Sequence, residues 1–216
     1  MDLITRIRKN SGILHNSTEE TGIIKRIFEG NASVDSYAEY LFNLSAMYKA
    51  IEDGIESNLH NDNVKEFATK ELYRHELIEK DLEYFLKDKE NKFELCSSTI
   101  ACVERIKEVV KTNPELIVAH AYTRFLADLF GGRMFIDLLS NKYNVPAEGL
   151  NYYKCDEIQD IKTYVMGYAM KINKMNLSDE LQEKLLNEVS NSYIYNLAIS
   201  CELETKLYST NKRPMR

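Results

Sequence analysis

AYTRFLADLFGGRMF, residues 121–135, is the stretch on which the reading of this chain turns. It is an apolar helical run that also carries Arg124, Asp128 and the adjacent pair Gly131 and Gly132. Each glycine inside a helix costs about 1 kcal/mol relative to alanine, so the pair needs a compensating use. Two uses fit. One is close helix packing, where a missing Cβ lets backbones touch; the other is a kink that lays bare backbone against a flat ligand. Arg124 and Asp128 are four apart and share a face, and Gly132 lies four further on. One face therefore offers a carboxylate beside bare backbone. An aspartate in an apolar helix must be paired, hydrated or functional.

The helical pattern continues in both directions. Asn113-Pro114-Glu115 reads as cap, first-turn proline and first-turn acid, predicting a helix from there to about Leu139. Ser33 caps a stripe of Tyr37, Leu41, Leu44, Tyr48, Ile51, Ile55 and Leu59, spaced by threes and fours. Ser178 opens another, with Leu181, Leu185, Val189, Tyr193 and Leu197 on one face. Shorter helices are expected at about 2–15, 18–28, 63–86, 97–111 and 158–174, and 142–157 is the longest irregular stretch. No useful alternating pattern suggests a strand. The chain is expected to be all-α, one domain over residues 1–216, with its core at about 7–207 and a short tail at 208–216.

The totals agree. Of 216 residues 44% are apolar, enough for a core, while 8 glycines and 3 prolines are few and favour long helices. A net charge of −6 lacks the basic footprint of a nucleic-acid binder. Cys96, Cys102, Cys155 and Cys201 form no C-x-x-C pair and read as reduced thiols. The charged N-terminus has no apolar signal region, and no window approaches the roughly 18 apolar residues of a membrane span. A monomer in the cytoplasm is the expectation.

VAHAYTRFLADLFGG, residues 118–132, resembles the distal-helix signature of the heme oxygenases, whose usual pattern is approximately AHAYTRYLGDLSGGQ. That resemblance requires an axial histidine upstream. His15 suits it: Ile13 and Leu14 precede it, and Glu19 follows at a spacing where a carboxylate can accept the imidazole's second N–H. His60 and His75 read as ordinary residues. The likeness extends from about Ile7 to Leu207 and includes Glu148-Gly149-Leu150 and the last helix around Asn196 and Glu202-Leu203.

The resemblance implies heme as both cofactor and substrate. It would lie between a proximal N-terminal helix and a kinked distal helix. O2 and an external electron donor would open it to biliverdin, Fe²⁺ and CO. His15 would be the axial ligand, with Arg8 and Ser11 near the heme edge. Gly131 and Gly132 would let the distal helix approach the porphyrin. A water held by Asp128 would protonate the iron-bound peroxide, and Arg124, Tyr48 and Tyr122 would hold Asp128 and its waters. The basic residues Arg6, Arg8, Lys9, Lys25 and Arg26 offer a dock for a flavodoxin-, ferredoxin- or reductase-type donor. The alternative is a heme-sequestering protein with weak ring-opening or peroxidase-like activity.

Three positions depart from the family pattern. Ala127 replaces a glycine and is expected to press on the distal pocket. Phe130 replaces a serine and calls for local repacking. Val165 and Ala169 stand where a lysine and an arginine usually meet the heme propionates, leaving Lys162, Tyr164, Tyr168 and Lys171 as nearby substitutes.

Overall fold

Several helix starts in this chain follow from local side-chain caps, and others from a cap that another helix supplies. The computed structural model describes residues 1–87 and 93–209. Helix α1 (Leu3–Glu19) starts at Asp2, whose carboxylate accepts from Thr5 N at 3.0 Å. It runs four residues beyond the expected end, because Ser17 and Thr18 direct their hydroxyls to the carbonyls of Ile13 and His15 and stay helical. Helix α2 (Gly22–Glu29) ends at Gly30 in the left-handed region at φ 69°. A side chain there would also overlap Lys142, so glycine is required twice over. Helix α3 (Val34–Glu56) has the expected Ser33 cap.

One expected helix is two. In place of 63–86 the chain forms α4 (Asp62–Lys65), a 3-10 turn at Lys70–Leu72, and α5 (His75–Leu86). The reason is tertiary. Glu52 on α3 accepts from the backbone N–H groups of Arg74 and His75 at 2.6 and 3.0 Å and so caps α5 from outside. Burial raises the Glu52 carboxyl to about 7, although those two amides pull the other way.

Helix α6 (Ser97–Thr112) is followed by a 3-10 turn at Pro114–Leu116, and α7 begins only at Ile117 and runs to Lys142. Asn113 does not cap it through its side chain; its amide turns back to the Thr112 carbonyl. Helix α7 is continuous through Gly131 and Gly132, and neither has a positive φ. Helix α8 (Ile161–Lys174) is capped by Asp160, and α9 (Asp179–Tyr208) by Ser178. Together they form a single all-helical domain, with no strand among the described residues.

The long α9 is the common partner: α1, α2, α6 and α7 all pack on it. Its polar step Glu188, Ser192, Asn196, Ser200 recurs every fourth residue beside the apolar stripe. Glu188 bonds Arg105 on α6 and His120 on α7. Ser192 meets Thr123, and Asn196 accepts from Arg124 at 3.2 Å. Ser200 ties down the start of α2. The order of these contacts fixes α7 along its axis, and with it the residues the sequence singled out. Leu3 and Ile4 are buried, so the core begins before residue 7. At the other end Tyr208 belongs to the fold: its hydroxyl accepts from Ser33 N, and Arg26 lies over its ring. The rest of the expected tail, 210–216, lies outside the described residues.

Candidate active site

Because α1 and α7 share α9 as a partner, they leave between them a cavity of about 890 Å³. Helix α1 contributes Arg8, Ser11, His15 and Glu19 to its lining. Helix α7 contributes Tyr122, Arg124, Ala127, Asp128, Gly131 and Gly132. Of the expected site residues only Tyr48 is not on this surface. It stands fully buried behind Asp128.

His15 is the one histidine of the lining. Its Nδ1 is 3.4 Å from Asn16 Oδ1, and its ring meets Tyr193 edge-on at 5.8 Å. Nε2 has no hydrogen-bond partner among the described residues. Glu19, at the end of α1, is exposed and does not bond the ring; the neighbouring amide replaces the expected carboxylate as orienting group. The Ser11 hydroxyl is committed to the Ile7 carbonyl at 2.9 Å. Tyr122 is raised by burial, with the Arg8 guanidinium beside it pulling the other way.

The glycine question has a geometric answer. A Cβ at Gly131 would meet nothing nearer than a Phe135 ring atom at 3.9 Å, and one at Gly132 would make ordinary contact with Tyr153 at 3.6 Å. No helix backbone packs on either. Gly131 leaves open space at the cavity wall, Gly132 packs against Tyr153, and neither sits at a helix–helix contact.

Asp128 is buried and fully engaged. Tyr48 OH donates to Oδ2, Tyr152 OH donates to Oδ1 at 2.7 Å, and Arg124 Nη2 donates to Oδ1 at 3.3 Å. Arg124 is divided among four partners. Nη2 also reaches Tyr152 OH at 2.9 Å, Nη1 reaches Asn196, and Nε reaches Tyr48 OH at 3.3 Å. Burial pushes the Asp128 carboxyl well above the usual carboxylate range, and the Tyr152 hydrogen bond works against that. This cluster can hold a proton in a dry site and pass it to a water in the cavity.

Tyr152 and Asn196 have roles here that the sequence reading did not assign. Tyr152 lies in the irregular stretch, where no period marks a face. Asn196 was detectable: it is one step of the four-residue polar stripe on α9.

The three departures resolve differently. Phe130 is 65% exposed at the cavity rim, so nothing is repacked around it. Ala127 is exposed on the cavity wall. Val165 lines the cavity, but the substitutes on α8 do not: Tyr164 OH bonds Glu71, Lys171 Nζ bonds the Glu66 carbonyl at 2.8 Å, Tyr168 is buried, and Lys162 is exposed elsewhere. Among the described residues the cavity's cations are Arg8, Lys9 and the committed Arg124. The expected basic dock is correspondingly smaller. Arg6 pairs with Glu183, Arg26 with Glu204, and Lys25 with Glu29 at 3.8 Å.

Comparison with known proteins agrees with this geometry. Residues 1–202 match the family model described as heme oxygenase. A heme oxygenase of Porphyra purpurea is 32% identical over 207 residues, covering 95% of this chain and 88% of its own length. One from Guillardia theta is 29% identical, covering 94% and 86%. The structure of a heme oxygenase from Leptospira interrogans superposes with a TM-score of 0.87 at 28% identity, covering 94% of this chain and 100% of its own. Heme oxygenase-1 from Synechocystis sp. PCC6803, solved in complex with heme, gives 0.88 at 26% identity, covering 95% and 94%. With the match spanning nearly the whole chain, the protein belongs to the heme oxygenase family.

Proposed function

We propose that the cavity between α1 and α7 binds heme as substrate through His15, and that Asp128 directs proton delivery during its oxidative opening to biliverdin, Fe²⁺ and CO. The family makes the chain an oxidoreductase that degrades heme. What supports the residue assignment is one juxtaposition: a histidine whose Nε2 has no partner among the described residues and a buried acid near two glycines line the same cavity.

The residues fit the group. An imidazole nitrogen with no partner among the described residues would hold the heme iron. The open space over Gly131 accepts a flat ring that a side chain would obstruct. Arg8 and Lys9 offer charge-assisted bonds to carboxylate groups at the heme edge. Bound heme supplies the iron at which O2 is activated and is itself the molecule cleaved. Asp128 sits behind the reacting face and acts through a water, because its own oxygens are held by Tyr48, Tyr152 and Arg124. Tyr122 closes the wall between Arg8 and the distal residues. Electrons come from an external flavodoxin-, ferredoxin- or reductase-type donor. Four free thiols suit a reducing cytoplasm. No helix among the described residues is long and apolar enough to cross a membrane.

The test is aerobic turnover of bound hemin with a reducing system. A bilin absorption band with iron release is expected; an unchanged Soret band points to the sequestering alternative. His15→Ala should lose both the histidine-ligated spectrum and turnover. A histidine-ligated spectrum in that variant would remove the axial assignment.

A further inference from the structure

Tyr152 is clamped at both ends. Its backbone N–H donates to Asp81 Oδ2 at 2.8 Å, while Asn151 donates to Asp81 Oδ1 from its backbone at 2.7 Å and its side chain at 2.8 Å. Asp81 is fully buried on α5. Three donors on one carboxylate fix the backbone of a loop that has no regular structure of its own. At the other end, the Tyr152 hydroxyl has a single proton to donate, and it goes to Asp128 Oδ1 at 2.7 Å. The Tyr152 hydroxyl oxygen in turn accepts from Arg124 at 2.9 Å and stands 3.2 Å from the Tyr48 hydroxyl.

The consequence is a division of labour on Asp128. Tyr48 holds one carboxylate oxygen and Tyr152 the other, so the carboxylate cannot rotate without breaking a short buried hydrogen bond. Tyr152 also occupies Arg124, whose distance to Asp128 stays at 3.3 Å. A buried arginine free to close on the carboxylate would lock it as a plain ion pair. We infer that Tyr152 is a positioning residue for the cavity acid, with its hydroxyl aimed by the Asp81 clamp and fixing how Asp128 faces the cavity. This rests on the proton-delivery role proposed for Asp128. A hydroxyl donated to a carboxylate favours its charged form, so removing it leaves Asp128 harder to ionise.

The measurement is the carboxyl ¹³C titration of Asp128 in ligand-free protein, its signal assigned by its absence in Asp128→Asn. Tyr152→Phe keeps the ring and removes the hydroxyl; the Asp128 midpoint should move to higher pH. Asp81→Asn, which weakens the clamp and leaves the hydroxyl in place, should move it in the same direction by less. Tyr153→Phe removes a hydroxyl from the same loop that does not touch Asp128, and should leave the midpoint alone. An unchanged or lowered midpoint in Tyr152→Phe overturns the inference, as does an equal shift from Tyr153→Phe. With hemin bound, Tyr152→Phe should divert O2 consumption from ring opening to hydrogen peroxide. If the wild-type protein opens no heme, the proposed function fails while the titration still decides the role of Tyr152.

Discussion

Two buried acids, Glu188 on α9 and Asp128 on α7, are set apart by their partners. Glu188 bonds His120, two turns before Asp128 on α7, together with Arg105 and Asn191. Burial alone would raise Glu188, but the hydrogen bonds from His120 and Arg105 hold it at about 2. Asp128 is buried too, yet its cation is divided among four partners and its nearest donors are tyrosines. Burial therefore prevails and its carboxyl is raised. An acid gripped by a guanidinium, an imidazole and an amide, and held at about 2, is a charged fastener. An acid held by hydroxyls and a shared arginine keeps an exchangeable proton. Burial alone does not separate the structural acid from the chemical one; the kind of donor does.

The largest expected effects cross this comparison. Asp128→Asn should reduce ring opening by about 100-fold or more, with hemin affinity and melting temperature near wild type. Glu188→Ala should do the reverse. It leaves Arg105 and His120 without their carboxylate and should cost about 3–5 kcal/mol of stability, read by denaturant unfolding, while ring opening per bound heme persists. If Glu188→Ala abolishes ring opening in folded, heme-loaded protein, the division between fastener and acid fails.

Which of these clusters was legible in the sequence follows from the same distinction. Arg124 and Asp128 declared themselves by an i,i+4 spacing within one helix, and His15 by its place upstream of them. Ser33 and Ser178 were readable as caps because the groups they satisfy lie three residues away. Glu52 was not, since the amides it caps are 22 and 23 residues further on and no local pattern connects them. Asp81 and Tyr152 were hidden for the same reason, 71 residues apart. Periodicity reports the faces of a helix; it is silent about a side chain on one element that completes the hydrogen bonds of another. The α9 polar stripe lay between these cases, periodic and visible, but without meaning until α7 was seen to carry its partners.

Glu52 extends the comparison to a third, half-buried acid and gives it a pH dependence. Its folded value of about 7 is above the model-peptide value of 4.5. A raised carboxyl contributes stability that is complete below about 4.5 and lost as pH rises through about 7. Glu188 has the opposite sign: held at about 2, its contribution is present above 4.5 and lost only as pH falls towards 2. Glu52→Gln should therefore flatten the stability profile between pH 4.5 and 7, where the wild-type protein loses up to a few kcal/mol. Stability that rises across that window in wild type, or an unaltered slope in the variant, would falsify the assignment.

A smaller effect separates the two glycines' costs from their use. Gly131→Ala adds a methyl where only Phe135 is near, at 3.9 Å. The ligand-free helix should gain about 1 kcal/mol. Hemin affinity should fall, because the methyl projects into the cavity. Thermal unfolding without ligand and hemin titration read the two effects separately. An alanine that strengthens both would mean that no flat ligand lies over this turn.

The smallest effect is expected at Phe130. Its ring is 65% exposed at the rim, so it forms no part of the packing around Asp128. Surface substitutions of this kind change stability by about 0.5 kcal/mol or less. Phe130→Ser should leave the melting temperature and the Asp128 titration unchanged. Ala127→Gly, whose methyl is on the cavity wall itself, should leave unchanged or improve the fraction of O2 that ends in ring opening. The pair makes the test specific. Both positions depart from the family pattern and both line the cavity, but only Ala127 sits directly before the acid in the chain. An effect on coupling from Phe130→Ser as large as that from Ala127→Gly would show that the rim, and not only the wall beside Asp128, governs the chemistry.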